Sequence, residues 1–260
     1  MSEPHPTGAQ SLLSIVANCD NFFLSDTKVT PEGEKLVSWR LSPDPASPVL
    51  GLLRPSVVEQ LKQETSGLWH FAENDPKPSV SLSAALNTPA KRTTALKELC
   101  ERWRDTGLWP NQIGPKKWRA EMYPIFRNPF GKRDAPIAEQ GEVETGDDTT
   151  NYAFMMERAA CALFGVVTYG VHMTVYEDSG ENVRREPGQV TQSYRFWVPK
   201  RAKTKQTWPG FFDNSVAGGI PSGLGIFESV VKESSEEASI PEDIVQKYAK
   251  AAGVVSYFYR

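Results

Sequence analysis

The chain has 260 residues, of which 39% are hydrophobic and 23% charged, and its formal net charge is −3. These values are typical of a globular protein, and the acidic balance argues against binding to a nucleic-acid polymer, which usually requires a basic domain. No apolar run approaches the roughly 18 residues of a membrane span, and the first ten residues lack the pattern of a secretory signal. We therefore expect neither membrane attachment nor secretion.

The number and spacing of the cysteines indicate whether the protein is found in an oxidising or a reducing compartment. Cys19, Cys100 and Cys161 are odd in number and far apart in the sequence. This spacing excludes a disulfide framework or a CxxC zinc site, and it suits a reducing environment. We therefore expect a cytoplasmic protein.

The first half of the chain predicts an α+β domain over residues 1–126. Apolar residues at helical spacing predict helices over about 11–24 and about 55–66. Thr88 as an N-cap and Pro89 at the first helical position predict a third helix. Short apolar stretches predict four strands, at about 36–41, 68–71, 80–82 and 122–126.

Residues 127–150 show little apolar periodicity and many glycine, proline and acidic residues, which predicts a linker or a long surface loop. A second domain is expected over residues 151–260. Its predicted elements, in chain order, are a short helix at 154–165, two strands joined by a hairpin loop at 178–188, a glycine turn at 217–223, helices at about 227–238 and 241–251, and a last strand at 254–259.

Three glutamates follow the glycine turn. Glu233, Glu236 and Glu237 lie at i, i+3 and i+4, so a helix places all three carboxylates on one face. A hard divalent cation such as Mg²⁺ offsets their mutual repulsion, because it prefers carboxylate oxygens as ligands. A solvated acidic helix is the alternative. The position directly after a predicted strand and the glycine pair Gly218–Gly219 favours metal binding.

This stretch resembles the Nudix box, whose pattern is G-x5-E-x7-R-E-U-x-E-E-x-G-U with U apolar. Residues 232–240 (KESSEEASI) overlay its second half, R-E-U-x-E-E-x-G-U. The resemblance implies a Nudix α/β/α sandwich with a mixed sheet, and a hydrolase of diphosphate linkages that depends on Mg²⁺ or Mn²⁺. It also implies that Glu233 and Glu237 are the principal metal ligands, with a backbone carbonyl at Gly218 as a further ligand. Glu236 is implied as an additional ligand and as a candidate for activating the attacking water.

Four residues depart from the box. Leu224 replaces the first glutamate, Lys232 the arginine, Ser234 the apolar residue and Ser239 the final glycine. In the family the first glutamate and the arginine usually form a structural pair, so their change is correlated. Because all three later glutamates remain, the departures indicate a subfamily variant rather than a dead site.

Flanking segments narrow the resemblance. Residues 156–176, 196–223 and 232–244 look like the Nudix module that is fused to, or related to, fungal thiamine pyrophosphokinases and that follows a separate N-terminal domain. This similarity covers about 116–260. It implies hydrolysis of thiamine diphosphate-like substrates such as oxidised thiamine diphosphate, or of oxidised nucleoside diphosphates such as 8-oxo-dGDP.

A basic and aromatic segment precedes the box. Its lysines either hold a substrate diphosphate or end a solvated hairpin, and its aromatic rings either stack on a substrate ring or pack the strand. His172 is expected to be a sheet residue rather than a ligand. The predicted substrate-binding residues are Lys203, Lys205, Trp208 and Phe212.

Only 20 residues follow Ile240, fewer than the closing elements of a Nudix fold need. We therefore expect the Nudix domain over 151–260 to be incomplete at its C-terminus. Two alternatives to an active hydrolase stay open: a weakly active or inactive ligand-binding or interaction module, and the N-terminal part of a bifunctional thiamine pyrophosphokinase. The expected partner is a small-molecule diphosphate, and the sequence does not specify an oligomeric state.

Overall fold

The structure is a computed structural model that describes residues 33–73, 77–135, 150–186, 189–205 and 208–256, with the backbone alone described within 181–192. The helix predicted over 11–24 and most of the linker predicted over 127–150 lie outside these residues. The strands within them are β1 (Val37–Arg40), β2 (Val49–Leu53), β3 (Trp69–Ala72), β4 (Ser79–Leu82), β5 (Met122–Phe126), β6 (Tyr152–Glu157), β7 (Gly170–Met173), β8 (Val175–Glu186), β9 (Gln189–Trp197) and β10 (Val216–Gly219). The helices are α1 (Pro55–Lys62), α2 (Pro89–Asp105), α3 (Arg158–Cys161), α4 (Ile226–Ala238) and α5 (Glu242–Tyr248).

The first four strands form a mixed sheet in the order β2-β1-β4-β3. Strands β1 and β4 are parallel, whereas β1 with β2 and β3 with β4 are antiparallel. A separate antiparallel pair joins β5 to β6, with Met122 opposite Glu157. The predicted α+β fold class is confirmed.

One hydrophobic core holds this part of the molecule together. Helix α2 begins as predicted, since the Thr88 hydroxyl accepts a hydrogen bond from the Lys91 N–H (3.3 Å) and Pro89 occupies the first turn. Its buried stripe includes Trp103, whose ring stacks on that of Phe164 at a centroid distance of 5.7 Å. The core runs from Trp39 to Val166, so residues on both sides of the segment predicted as a linker pack together.

Two elements around this core differ from their predictions. The short helix predicted over 154–165 is wrong in its first part, because residues 152–157 form strand β6 and only Arg158–Cys161 is helical. Every residue of β6 is buried, Glu157 included, and the continuous apolar run before Glu157 does not distinguish a strand from a helix by periodicity. Helix α1 ends at Lys62, earlier than the predicted 66.

The second part of the molecule combines two antiparallel strand pairs, β7 with β10 and β8 with β9. Helix α4 packs on β10 and β7, and α5 packs on α4 with Val245 buried. The hairpin loop predicted at 178–188 is wrong, because β8 and β9 pair as far as Glu186 and Gln189. This stretch is polar, so composition carried no strand signal there. Aromatic side chains on the two strands, among them Tyr176, Phe196 and Trp197, are exposed.

Fewer of the described C-terminal residues form helix or strand than the sequence predicts. Helix α5 ends at Tyr248 rather than near 251, and residues 249–256 form neither helix nor strand. The rest of the strand predicted at 254–259 lies outside the described residues. Among the helices that the structure describes, none has the length and apolar character to cross a membrane.

Candidate metal and diphosphate site

Helix α4 carries the three glutamates, and its ends are defined locally. At its start the Gly225 N–H donates a 2.8 Å hydrogen bond to the carboxylate of Glu228. At its end Ser239 adopts the left-handed conformation (φ 53°, ψ 31°), and the Ile240 N–H donates to the Ser234 carbonyl (3.1 Å). The helix predicted over 227–238 is thus confirmed, one residue longer at its start.

Strand β10 faces this helix. Its residues pair antiparallel with β7, Gly218 lying opposite Val171 and Gly219 opposite Gly170. The glycine turn predicted at 217–223 is therefore wrong for its first part, because Ala217, Gly218 and Gly219 belong to the strand. Glycine within a strand often marks a close approach by another group, and that is its use here.

Two of the three glutamates rest on this strand. The carboxylate of Glu233 lies so close to Gly218 that a Cβ atom there would overlap its carbon and both oxygens. The Ala217 N–H donates a 3.2 Å hydrogen bond to Glu237 Oε2. Two carboxylates, one helical turn apart, thus converge on two successive residues of β10.

The electrostatics of this pair favour a cation. Burial raises the pKa of Glu233 above its usual value, and Glu237 and Glu236 raise this pKa further, whereas Lys232 opposes the shift. A cation beside the two carboxylates offsets both the burial and the like-charge repulsion. Lys205 supplies part of that charge, since its Nζ lies 3.8 Å from Glu237 Oε1.

Glu236 points elsewhere. Its carboxylate is paired with Lys232 Nζ at 2.9 Å, one turn back along the exposed side of α4, and this contact raises the pKa of Lys232. Within the ranges that the structure describes, no three histidine, cysteine, aspartate or glutamate side chains are grouped so that they could hold a metal ion. The structure thus places two of the three predicted glutamate ligands against β10, and the roles of Glu236 and of the Gly218 carbonyl stay predictions.

The predicted substrate-binding residues are only partly gathered at the site. Lys205 reaches Glu237, whereas no hydrogen bond or ion pair links Lys203, Trp208 or Phe212 to the glutamates in the described part of the chain. Trp208 and Phe212 are exposed, Phe212 by 78%. Their rings are therefore accessible rather than packed under the strand.

His172 is confirmed as a sheet residue. It lies in β7 opposite Ala217, and its Nδ1 is 3.0 Å from Asn214 Nδ2. The ring is exposed and already has a hydrogen-bond partner, which fits a structural role.

Sequence reasoning missed a group that approaches β10 from its other side. A Cβ atom on Gly219 would overlap Tyr123 Oη and lie 3.6 Å from Arg158 Nη2. Arg158 is in turn paired with Glu121 at 2.8 Å. The sequence does not predict the position of these residues, because it depends on the pairing of β5 with β6. Residues 152–157 of β6 fall largely within the helix predicted at 154–165, so this pairing was not expected.

We compared the sequence with protein-family models and with curated proteins, and the curated proteins include two Nudix hydrolases that are similar to this chain. No family model matches the sequence. The chain is 31% identical over 214 residues to Nudix hydrolase 20, chloroplastic, of Arabidopsis thaliana, a match that covers 80% of this chain and 47% of the relative. It is 33% identical over 178 residues to Nudix hydrolase 24, chloroplastic, of the same plant, covering 68% of this chain and 39% of the relative. It is also 41% identical over 146 residues to an uncharacterized protein of Saccharomyces cerevisiae, covering 56% and 34%.

The two Arabidopsis relatives support the Nudix family for this chain. The mixed α+β architecture, with a helix carrying clustered glutamates directly after a glycine-containing strand, is consistent with a Nudix-type α/β/α fold. The chain spans about half or less of the length of these curated relatives.

The residues at β10 also fit the divalent cation that such hydrolases use. Mg²⁺ is commonly held by only one or two carboxylates, with water and substrate phosphate completing its ligands. Glu233 and Glu237 supply two carboxylates that contact adjacent residues of the strand, Gly218 and Ala217. The missing side chain at Gly218 leaves the space that the Glu233 carboxylate occupies.

Proposed function

We propose that the protein is a Nudix-type hydrolase that cleaves a diphosphate linkage with Mg²⁺ or Mn²⁺ held by Glu233 and Glu237. The observation that carries this proposal is the convergence of these two carboxylates on Ala217 and Gly218. When bound, the cation offsets charge on phosphate oxygens and lowers the pKa of a bound water.

The side chains around the cation would divide the remaining tasks. Glu233 and Glu237 bind it, and the backbone of β10 holds both carboxylates in place. Lys205 is paired with Glu237 in this structure, so a cation that takes over this carboxylate frees the ammonium group to bind a substrate phosphate. Glu236 and the Gly218 backbone are proposed as further ligands, and Glu236 also as the group that activates water.

The proposed substrates are thiamine diphosphate-like molecules such as oxidised thiamine diphosphate, and oxidised nucleoside diphosphates such as 8-oxo-dGDP. Both carry a diphosphate joined to an aromatic ring system. The exposed rings of Trp208 and Phe212 support this proposal, because they are accessible for stacking on a substrate ring. Lys203, exposed in the same segment, is proposed as a second phosphate contact.

We also propose a cytoplasmic location. Cys100 and Cys161 are free and buried, which suits a reducing compartment. The chloroplastic names of the two Arabidopsis relatives describe those proteins.

A substrate panel tests the activity. Release of phosphate or monophosphate from the diphosphates above is measured with and without Mg²⁺, for the unmodified chain and for Glu237→Gln. We expect metal-dependent release that Glu237→Gln reduces at least about 100-fold, as for removal of a group that stabilises transition-state charge. Glu242→Gln, an exposed glutamate at the start of α5, is the matched control. Undiminished turnover by Glu237→Gln would refute the assignment.

A binding module without turnover is the second candidate. The observation that favours it is the ion pair between Glu236 and Lys232, which leaves two carboxylates rather than three at β10. Calorimetric binding of the same diphosphates with no product released would support this candidate over the hydrolase.

A further inference from the structure

Strand β10 separates the candidate metal ligands from a buried tyrosine. Successive residues of a strand face opposite sides, so Gly218 and Gly219 present their missing side chains in opposite directions. On one side the Glu233 carboxylate occupies the space at Gly218. On the other side Tyr123 Oη occupies the space at Gly219, with Tyr123 Cζ 3.0 Å from the position of a Cβ atom. The backbone of the two glycines therefore separates the Glu233 carboxylate from Tyr123 Oη.

Tyr123 is held rigidly where it meets the strand. Its side chain is 4% exposed, and its backbone pairs with Met156 in the β5–β6 ladder that belongs to the main core. The Arg158 guanidinium lies 5.1 Å from the centre of its ring, and Glu121 fixes that guanidinium by an ion pair of 2.8 Å. The phenol therefore has little freedom to withdraw from β10.

The hydroxyl of Tyr123 is buried and has no hydrogen-bond partner among the described residues. Burying a hydroxyl without a hydrogen-bond partner costs free energy, so neither hydrogen bonding nor contact with solvent explains why Tyr123 Oη lies at this position. The contact of Tyr123 Oη with Gly219 prevents β10 from moving toward β5. It therefore limits how far β10 can move away from α4.

We propose that Tyr123 is a positioning residue of the candidate metal site. Tyr123 lies on β5, outside helix α4, and it holds Gly218 and Gly219 against that helix. Glu233 and Glu237 thereby stay in place for the cation. The consequence for metal binding rests on the function proposed above, whereas the contact itself does not. A misplacement of about 1 Å at such a site can lower activity on the order of 100-fold.

A pair of complementary substitutions tests this inference. Gly219→Ala adds a methyl group where Tyr123 Oη lies, and Tyr123→Phe removes that oxygen while keeping the ring. We expect Gly219→Ala to weaken Mn²⁺ binding, followed by electron paramagnetic resonance, by about tenfold or more, and to lower kcat more than it raises KM. The double variant should recover most of both losses, because only the ring carbon at 3.0 Å then has to adjust. Tyr152→Phe, which removes a buried hydroxyl at the far end of the β5–β6 pair, is the control.

Hydrogen exchange of the β10 amides is measured in the same variants and needs no metal. Faster exchange in Gly219→Ala that Tyr123→Phe reverses would confirm the positioning contact. No recovery in the double variant, or Gly219→Ala equal to the unmodified chain in exchange and Mn²⁺ affinity, would overturn it. Failure of the unmodified chain to bind Mn²⁺ would instead refute the proposed function, and the exchange data would still decide whether Tyr123 fixes the strand.

Discussion

We expect Gly218→Ala to impair the candidate metal site while changing the stability of the fold only slightly. A Cβ atom at this position overlaps the Glu233 carboxylate, whose carbon and two oxygens are the three atoms nearest to it. The group that must move is therefore the end of a flexible side chain on a partly exposed helix face. We expect the free energy of unfolding to fall by less than about 1 kcal/mol, as for a surface substitution without a core cavity.

The effect on the site should be much larger. Carbon atoms in contact need roughly 3.5 Å between them, so the carboxylate has to retreat by more than about 1 Å. A displacement of that size costs on the order of 100-fold in a catalytic arrangement, which is about 2.8 kcal/mol at 1.4 kcal/mol per tenfold change. Mn²⁺ affinity should fall as well, since Glu233 is then displaced from its position beside Gly218.

The assay pairs two measurements on each protein: Mn²⁺ affinity by electron paramagnetic resonance and the midpoint of urea unfolding. Gly210→Ala is not a suitable control, because Gly210 has a positive φ of 77°. Gly170→Ala is unsuitable as well, because its Cβ would lie 3.1 Å from the Gly218 carbonyl oxygen, a proposed metal ligand. Glu242→Gln, at an exposed position of α5, is therefore the control for both measurements. If Gly218→Ala kept full Mn²⁺ affinity while unfolding normally, the Glu233 carboxylate would not be a metal ligand, and the reasoning would fail.

Three further predictions concern the rest of the chain. Ser239→Gly should raise the free energy of unfolding by about 0.5–1 kcal/mol in urea titrations, because Ser239 is held at φ 53°; an equal gain from Ser239→Ala would contradict this. Burial raises the pKa of the Cys100 thiol to about 12 and that of Cys161 further, so in a Cys19→Ser variant neither should react with a thiol reagent at pH 8 until the protein unfolds. The carboxylate of Glu157, 2% exposed, accepts hydrogen bonds from two backbone N–H groups at 3.0 and 3.1 Å. Thermal unfolding should show Glu157→Ala less stable by about 2–3 kcal/mol and Glu157→Gln less affected, since the amide oxygen can still accept; equal losses would show that these bonds are not what stabilises the site.

Elements with a local signal could be predicted from the sequence. The Thr88–Pro89 start of α2 and the amphipathic pattern of α4 depend on neighbouring residues alone, and strand 122–126 has its predicted bounds. The clustering of Glu233 and Glu237 on one helix face follows from helical spacing. In each case the information lies within about one turn or one strand of chain.

Features that depend on distant pairing could not be predicted. The glycines at 218 and 219 are typical of a turn when considered alone, and they form a strand only because β7 lies beside them. Tyr123 reaches the site from nearly 100 residues earlier in the sequence, through a ladder with β6 that itself lacked a clear strand pattern. The separation of Glu236 from the other two glutamates is a matter of rotamer and of its partner Lys232, which spacing does not specify.

The departures from the Nudix box leave the geometry of α4 intact, and this bears on whether the site is functional. Ser234, at an apolar position of the pattern, is fully buried, yet its hydroxyl donates a 2.6 Å hydrogen bond to the Val230 carbonyl and so has a partner within the helix. Lys232, at the arginine position, binds Glu236 within the same helix. Ser239 ends the helix in the left-handed conformation that the family's glycine adopts more easily. Each of these three substitutions is thus satisfied locally without moving Glu233 or Glu237 from β10, which argues for a variant site over a lost one.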